Sequence, residues 1–297
     1  MILVVGATGL LGGEICRRLR AKNLAVRGLV RAGSAGEAAL RAVGVQISTG
    51  DLRVRTDVEA ACRGVDAVIT TATAMGSPDK SLSIRAIDRH GQLQLVEVAK
   101  SSGVQQFVYV SLTPRLQPTA PLVRYKREVE RAVQASGMRW TILQPSVFME
   151  VWLSNKVGWD IDAGKATIFG AGTEPMSWIS LGDVAEHAVR SLDDPRLANR
   201  VLPLGGPHDL SPNAVVALFE QVSGRKFSAK HVPRAVLRLM SPIVGLFNEG
   251  AASGMSMGAQ SAASGDVIDS PLQRELGLPL LTLREYAASV VRGREVT

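Results

Sequence analysis

A chain of 297 residues can bury one large core, or a main body with a smaller lobe attached. Its 34 Lys and Arg against 27 Asp and Glu give a formal charge of +7. The cations are spread along the chain with no basic block interleaved with aromatics, so a nucleic-acid partner is not expected. The two cysteines, Cys16 and Cys62, suit neither a disulfide scaffold nor a metal site, and no apolar run reaches the roughly 18 residues of a spanning helix. With no basic, apolar leader before the first strand, the expectation is a soluble cytoplasmic protein without a bound metal.

Residues 1–31 read as an apolar strand, the glycine turn GATGLLG, an amphipathic helix with Arg17, Arg18 and Arg20 on its polar side, and a second strand ending at Arg31. Gly6 permits the tight turn, Gly9 lets backbone approach a pyrophosphate, and Gly12 lets the helix pack on the sheet. Thr8, Leu10 and Leu11 complete the turn, and the helix start offers free N–H groups to an anion. The spacing is G-x-x-G-x-x-G, and its position between strand and helix points to a dinucleotide, against a purely structural turn. A dinucleotide lacking the 2′-phosphate is normally met by a carboxylate at the end of the second strand, whereas arginine suits the phosphate. Here Arg31 stands there, with Ser34 after it and no acid before Glu37, which favours NADP(H). The competing reading of Arg31 is an exposed surface charge.

Residues 36–43 read as a helix and 45–48 as a strand. Asp51 and Leu52 follow, either flanking an adenine or serving as turn and cap residues. A short helix at 57–62 precedes a strand at 67–70, and the small residues Thr71, Ala72 and Thr73 after it leave room for a cofactor. A long helix is expected over 81–102, then a buried strand at 106–110 ending in Ser111, a helix at 122–136 carrying Tyr125 and Lys126, and a strand at 140–143. Pro145, Val147 and Phe148 follow, and Ser111, Lys126 and Pro145 are expected near one crevice. Alternating strands and helices define an α/β chain with a doubly wound parallel sheet, the Rossmann fold. Residues 1–150 are assigned to this nucleotide-binding domain. Residues 151–297 are assigned to a smaller α/β substrate lobe interleaved with it.

Trp152, Trp159, Phe169 and Trp178 concentrate bulk in a chain only 4% aromatic, as packing or as the wall of an apolar pocket. Helices are expected over 180–192 and from Pro212 to near Gly224. Residues 235–247 read as a buried or subunit-facing apolar helix interrupted near Pro242, with a membrane-surface helix as the weaker reading. Residues 250–265, rich in glycine and serine, read as a mobile lid, loop or linker. A homodimer or protein partner would use residues 235–265.

GATGLLG, the VRAGS stretch, VYVSL, YKREVERAVQASGMRWTILQPSVFME, FGAGTEPMSWISLGDVAEHAV and VLPLGGPHDLSPNAVVALF together resemble the NmrA-like branch of the atypical short-chain dehydrogenases, over roughly residues 1–235. The resemblance implies Gly6, Gly9 and Gly12 at the pyrophosphate, Arg31 at the 2′-phosphate, Lys126 as the catalytic or nicotinamide-ribose lysine, and Pro145 before the specificity loop. Classical members carry a tyrosine four residues before that lysine, to donate the proton. This chain has Leu122 there, and Tyr125, adjacent to Lys126, points about 100° away on a helix.

The leading expectation is an NADPH-dependent oxidoreductase passing hydride to a quinone, carbonyl or activated double bond, with Lys126 and Ser111 as its catalytic residues. Its small apolar or aromatic substrate would meet Thr73, Ser111, Pro145, Val147, Phe148 and Met149 under cover from the region of Trp152 and Trp178. The alternative is a non-catalytic redox sensor or assembly protein. Epimerase chemistry on a nucleotide sugar is disfavoured by the missing Tyr-x-x-x-Lys pair.

Overall fold

In this computed structural model, which describes residues 1–77, 79 and 81–293, the chain opens with β1 (Ile2–Val5), α1 (Leu10–Ala21), β2 (Val26–Val30), α2 (Glu37–Ala42), β3 (Gln46–Thr49), α3 (Arg55–Cys62) and β4 (Ala67–Thr70). A π-helical turn, Arg85–Gly91, runs into α4 (Gln92–Ser101), followed by β5 (Gln106–Val110), α5 (Pro121–Gln134) and β6 (Arg139–Pro145). Next come α6 (Met149–Trp152), β7 (Lys165–Phe169), β8 (Met176–Ser177), α7 (Leu181–Arg190), β9 (Arg200–Leu204), β10 (Asp209–Leu210) and α8 (Pro212–Ser223). The chain closes with β11 (Ser228–Val232), α9 (Arg234–Gly245), α10 (Glu249–Ser264), α11 (Pro271–Leu276) and α12 (Leu283–Val291).

The elements group into two compact units. The first takes Met1–Ser111, Pro121–Leu143 and Val184–Leu202, and the second Leu112–Ala120, Gln144–Asp183 and Pro203–Thr297. The sheet that organises the first unit has the order β3-β2-β1-β4-β5-β6-β9, with parallel pairing from β3 through β6. Every residue of β1, β4 and β5 is buried, as expected of strands covered on both faces. The order reverses at β1 and β4, so the segments leaving their carboxyl ends flank the topological switch point where such sheets bind ligands. This is a doubly wound Rossmann sheet. Cys16 and Cys62 are both free and buried.

The second unit pairs β7 with β11 in parallel and β8 with β10 antiparallel. Its core gathers Met149, Trp159, Trp178, Phe219, Leu283 and Tyr286. Helix ends follow local chemistry: Ser211 accepts from the Ala214 N–H to cap α8, with Pro212 in its first turn, and Gly224 closes it in the left-handed region. Thr282 and Glu285 form a capping box on α12.

Three expectations from the sequence change. The stretch 81–102 is not one α-helix, because its first half is the π turn Arg85–Gly91. Residues 250–264 are not a mobile segment but belong to the 16-residue helix α10, capped by the Asn248 side chain accepting from the Ala251 N–H and followed by Gly265. Small residues there serve close packing: a Cβ on Gly258 would come 3.1 Å from Phe169, and Ala252, Ser253 and Ala259 are buried. Pro242 lies within α9 without ending it, and only Leu237 of that helix is buried.

Candidate functional site

The glycine turn after β1 is shaped by space as well as by backbone angle. Gly6 has φ +85°, and a Cβ there would lie 2.8 Å from the Ala72 nitrogen and from Thr71 Oγ1. On Gly12 it would lie 2.1 Å from the Gly6 carbonyl oxygen, which no side chain tolerates. The Gly9 N–H donates to the Gly6 carbonyl at 3.0 Å, and α1 begins at Leu10 with no acid in its first turn. The opening N–H groups of the helix therefore stand ready for an anion. Thr8, Gly9 and Leu10 are exposed at this point, while Leu11 and Gly12 are buried against the sheet. A tight, side-chain-free cradle at a helix N-terminus fits a dinucleotide pyrophosphate.

Arg31 follows β2 and is exposed, its guanidinium donating to Asp79 Oδ2 at 2.6 Å. The Ser81 hydroxyl and then Arg31 hold the Asp79 carboxyl down at about 2. Ser34 is half-buried, its N–H bonded to the Arg31 carbonyl. The Asp51 carboxylate takes the Arg53 N–H at 2.8 Å and the Arg53 guanidinium at 2.7 Å, so it acts as a turn residue, and Arg53 holds it below the usual carboxylate range. Leu52 is buried against Gly91, where a Cβ would come 2.9 Å from its Cγ.

The loop leaving β4 is held residue by residue. The Thr71 N–H donates to the Val5 carbonyl, and Gln92 accepts from the Thr70 hydroxyl and donates to the Ala72 carbonyl. Asp88 Oδ2 accepts the Ala74 N–H at 2.9 Å, and the Thr73 hydroxyl, which accepts from the Met75 N–H, also bonds Asp88. Asp88 and Gln92, one helical turn apart, thus fix the loop that faces the switch point.

Lys126 is buried, with 4% of its surface exposed, and Asp88 is wholly enclosed. The Lys126 ammonium donates to the Val110 carbonyl at 3.2 Å, lies 3.7 Å from Asp88 Oδ1, and sits 5.1 Å from the centre of the Tyr109 ring. Burial lowers Lys126 and raises Asp88, each opposed by the charge of the other. Among the described residues Asp88 Oδ1 and the Tyr109 hydroxyl have no hydrogen-bond partner. Ser111 is buried, its N–H on the Leu143 carbonyl and its hydroxyl 3.4 Å from Arg127. Leu122 and Tyr125 are both buried on α5, and Tyr109, fully enclosed, is pushed well above its ordinary range by desolvation. Tyr109, so enclosed, is not placed to donate a proton to a ligand.

The sequence reading missed Asp88. Its signal was a carboxylate within the apolar stripe Ile84, Ile87, Leu95, where a helix face otherwise enters the core.

The second unit contains an apolar pocket. The four bulky residues of the sequence, Trp152, Trp159, Phe169 and Trp178, all line it, with Val147 at the same wall and Gly258 and Ser261 from α10. Trp152 and Phe169 meet edge to face at 5.9 Å. The Trp178 indole donates to the Leu210 carbonyl, while the buried Trp159 indole N–H has no hydrogen-bond partner among the described residues. Pro145 ends β6 and is buried, Phe148 bridges to Ile179, and Met149 is packed wholly into the core. A second carboxylate missed by the sequence reading, Asp266, braces this wall: its Oδ2 accepts from the Ser146 hydroxyl at 2.7 Å and its Oδ1 from Thr113. Burial raises its carboxyl. Among the described residues no cluster of three His, Cys, Asp or Glu could hold a metal.

The glycine turn, the sheet order and the lysine on α5 define a short-chain-dehydrogenase-like Rossmann protein. The sequence profile of the NmrA-like family matches residues 1–269, and the chain belongs to that family. It is 36% identical over 228 residues to the NAD(P)H azoreductase of Xenophilus azovorans, covering 76% of this chain and 74% of that one. It is 31% identical over 248 residues to the photosystem II assembly factor Ycf39 of Synechocystis, covering 83% and 74%. Among solved structures, the NADPH-dependent quinone oxidoreductase QOR2 of Escherichia coli in complex with NADPH superposes with a TM-score of 0.79 at 22% identity, over 98% of this chain and 99% of the other. The Citrobacter triphenylmethane reductase complexed with NADP(H) gives 0.78 at 18% identity, over 98% and 100%.

Proposed function

We propose that the protein is an NADPH-dependent reductase acting on a small apolar aromatic acceptor, a quinone or a comparably electron-poor double bond. The carrying observation is the enclosed Lys126–Asp88 pair at the carboxyl end of β5: burying a lysine costs stability and no packing demand calls for it, which is the mark of a functional cation. Bound NADPH supplies a hydride. Gly6, Gly9 and Gly12 admit its pyrophosphate, the first turn of α1 counters the charge, and Arg31 meets the 2′-phosphate after leaving Asp79. Thr71, Ala72 and Thr73 give it a wall without bulk, and Lys126 holds a ribose hydroxyl. Ser111 orients the lysine end of the site through the strand terminus it shares with Val110. The aromatic pocket, bounded by Val147, Trp152 and Trp178, presents rings and aliphatic side chains to a flat apolar molecule. With Leu122 in place of an acid, an acceptor that needs no strongly positioned proton donor fits best. The relationship to an azoreductase supports the same class. The free, buried cysteines suit a reducing cytoplasm.

The absent tyrosine and the similarity to Ycf39 favour one second reading, an assembly or sensor protein that binds the nucleotide without turnover. Purified protein is assayed for NADPH oxidation with simple quinones, azo dyes and enals, alongside nucleotide binding. Turnover with an aromatic acceptor is expected; tight NADPH binding with no oxidation across the panel would replace the reductase reading with the second one.

A further inference from the structure

The pocket of the second unit offers a ligand little polarity. None of the side chains lining it is charged, and the Trp178 indole N–H is already engaged by the Leu210 carbonyl. Against this wall α10 sets Ser261, three residues past Gly258, whose missing side chain lets the helix lie close to Phe169. Ser261 is only 8% exposed, and among the described residues its hydroxyl has no hydrogen-bond partner.

A serine inside a helix has a ready acceptor in the carbonyl three or four residues back. Ser223 donates to the Phe219 carbonyl at 2.6 Å, Ser289 to Tyr286 at 2.7 Å and, on α10 itself, Ser264 to Gln260 at 3.2 Å. Ser261 makes no such bond. A hydroxyl so enclosed is costly to leave unbonded, and alanine, which α10 carries at Ala259 and Ala262, would favour the helix and suit an apolar wall better. The serine is therefore accounted for by a ligand in the pocket.

We infer that the Ser261 hydroxyl orients the substrate, and that the pocket selects an uncharged, flat aromatic molecule bearing a hydrogen-bond acceptor such as a ring carbonyl. This assignment rests on the reductase reading, in which the same pocket takes the electron acceptor. The Trp159 ring lines the pocket too, and its N–H, which can only donate, is without a partner among the described residues. The unused polar hydrogens of this wall thus match an acceptor oxygen. A sulfonate or carboxylate on the ring would lose its hydration with no cation in the lining to meet it, and is rejected.

Binding is measured by isothermal titration of the full chain saturated with NADP+, which has no hydride to give, using naphthoquinone, its ring sulfonate and naphthalene. Naphthoquinone is expected to bind about tenfold more tightly than naphthalene, and the sulfonate at least about tenfold more weakly than naphthoquinone. Ser261→Ala should weaken naphthoquinone about fivefold and leave naphthalene unchanged, whereas Trp152→Ala, which removes wall and no oriented donor, should weaken both alike. Alanine is the better helix former, so the Ser261→Ala fold is kept. With NADPH, the same variant should raise KM for naphthoquinone about fivefold at little changed kcat. The inference falls if the sulfonate binds as tightly as naphthoquinone, or if Ser261→Ala leaves naphthoquinone unchanged or weakens it only as much as naphthalene. Selective binding without NADPH oxidation would overturn the reductase reading and leave the role of Ser261 standing. Rapid oxidation with an unmoved KM in Ser261→Ala would do the reverse.

Discussion

The two units build their candidate sites by opposite means. Around the glycine turn, positions are set by excluded volume and by hydrogen bonds to backbone: Gly12 against the Gly6 carbonyl, Gln92 on Ala72, Asp88 on Ala74. In the second unit the pocket is walled by rings and aliphatic side chains, and its few polar anchors, Trp178 on Leu210 and Asp266 on Ser146, face the protein itself. A polar, sterically fixed site tolerates little change in ligand, whereas an apolar pocket trades side chains at small cost. The first arrangement suits a constant cofactor and the second a variable substrate.

The largest effect that would break this contrast is on the steric side. Gly12→Ala places a methyl 2.1 Å from the Gly6 oxygen and should cost on the order of a hundredfold in NADPH affinity, about 2.8 kcal/mol. Titration of nucleotide fluorescence reads it, and near-normal affinity would remove the glycine cradle from the argument.

Asp88→Asn leaves Lys126 enclosed without its counter-charge and should destabilise the fold by about 3 kcal/mol, while the double variant with Lys126→Met should recover much of that loss. The sign with pH is fixed. Asp88 favours the Lys126 cation, so its removal lowers Lys126 further, and the alkaline limb of NADPH oxidation should move to lower pH. A lysine depressed in the folded state binds more protons when unfolded, so the stability of Asp88→Asn should rise toward alkaline pH relative to wild type. An unmoved pH profile with lowered stability would reduce Asp88 to packing.

On the apolar side, Trp152→Ala should raise KM for an aromatic acceptor about tenfold by removing one ring from the pocket, with NADPH affinity unchanged. A change in nucleotide affinity instead would break the division of labour between the units.

The smallest effects concern the exposed pair. Arg31→Ala should lower the preference for NADPH over NADH about tenfold, whereas Asp79→Asn, which frees Arg31 from a solvent-screened partner, should raise NADPH affinity by no more than about fivefold. An unchanged ratio in Arg31→Ala would leave that arginine a surface charge.

Much of the first unit was legible in the chain. Apolar runs such as ILVV and QFVYV have no other use than a strand covered on both faces, and the glycines of GATGLLG sit where only the absence of a side chain works. The aromatic grouping was also visible, because four large rings in a chain poor in aromatics are conspicuous. The helix α10 was not: its glycines and serines carry the composition of a mobile loop, and only the rings and helix packed against them turn smallness into close contact.

By itself, then, the sequence determined most of the strand and helix order of the first unit, the glycine turn and the family, because these rest on local sterics and periodicity. Tertiary structure alone decided that Lys126 is enclosed, that Asp88 is its partner 38 positions away, and that Arg31 is held by Asp79. It also left most apolar residues of α9 exposed. Burial and pairing depend on what the rest of the chain brings to a residue, and nothing in a residue's own neighbourhood records that.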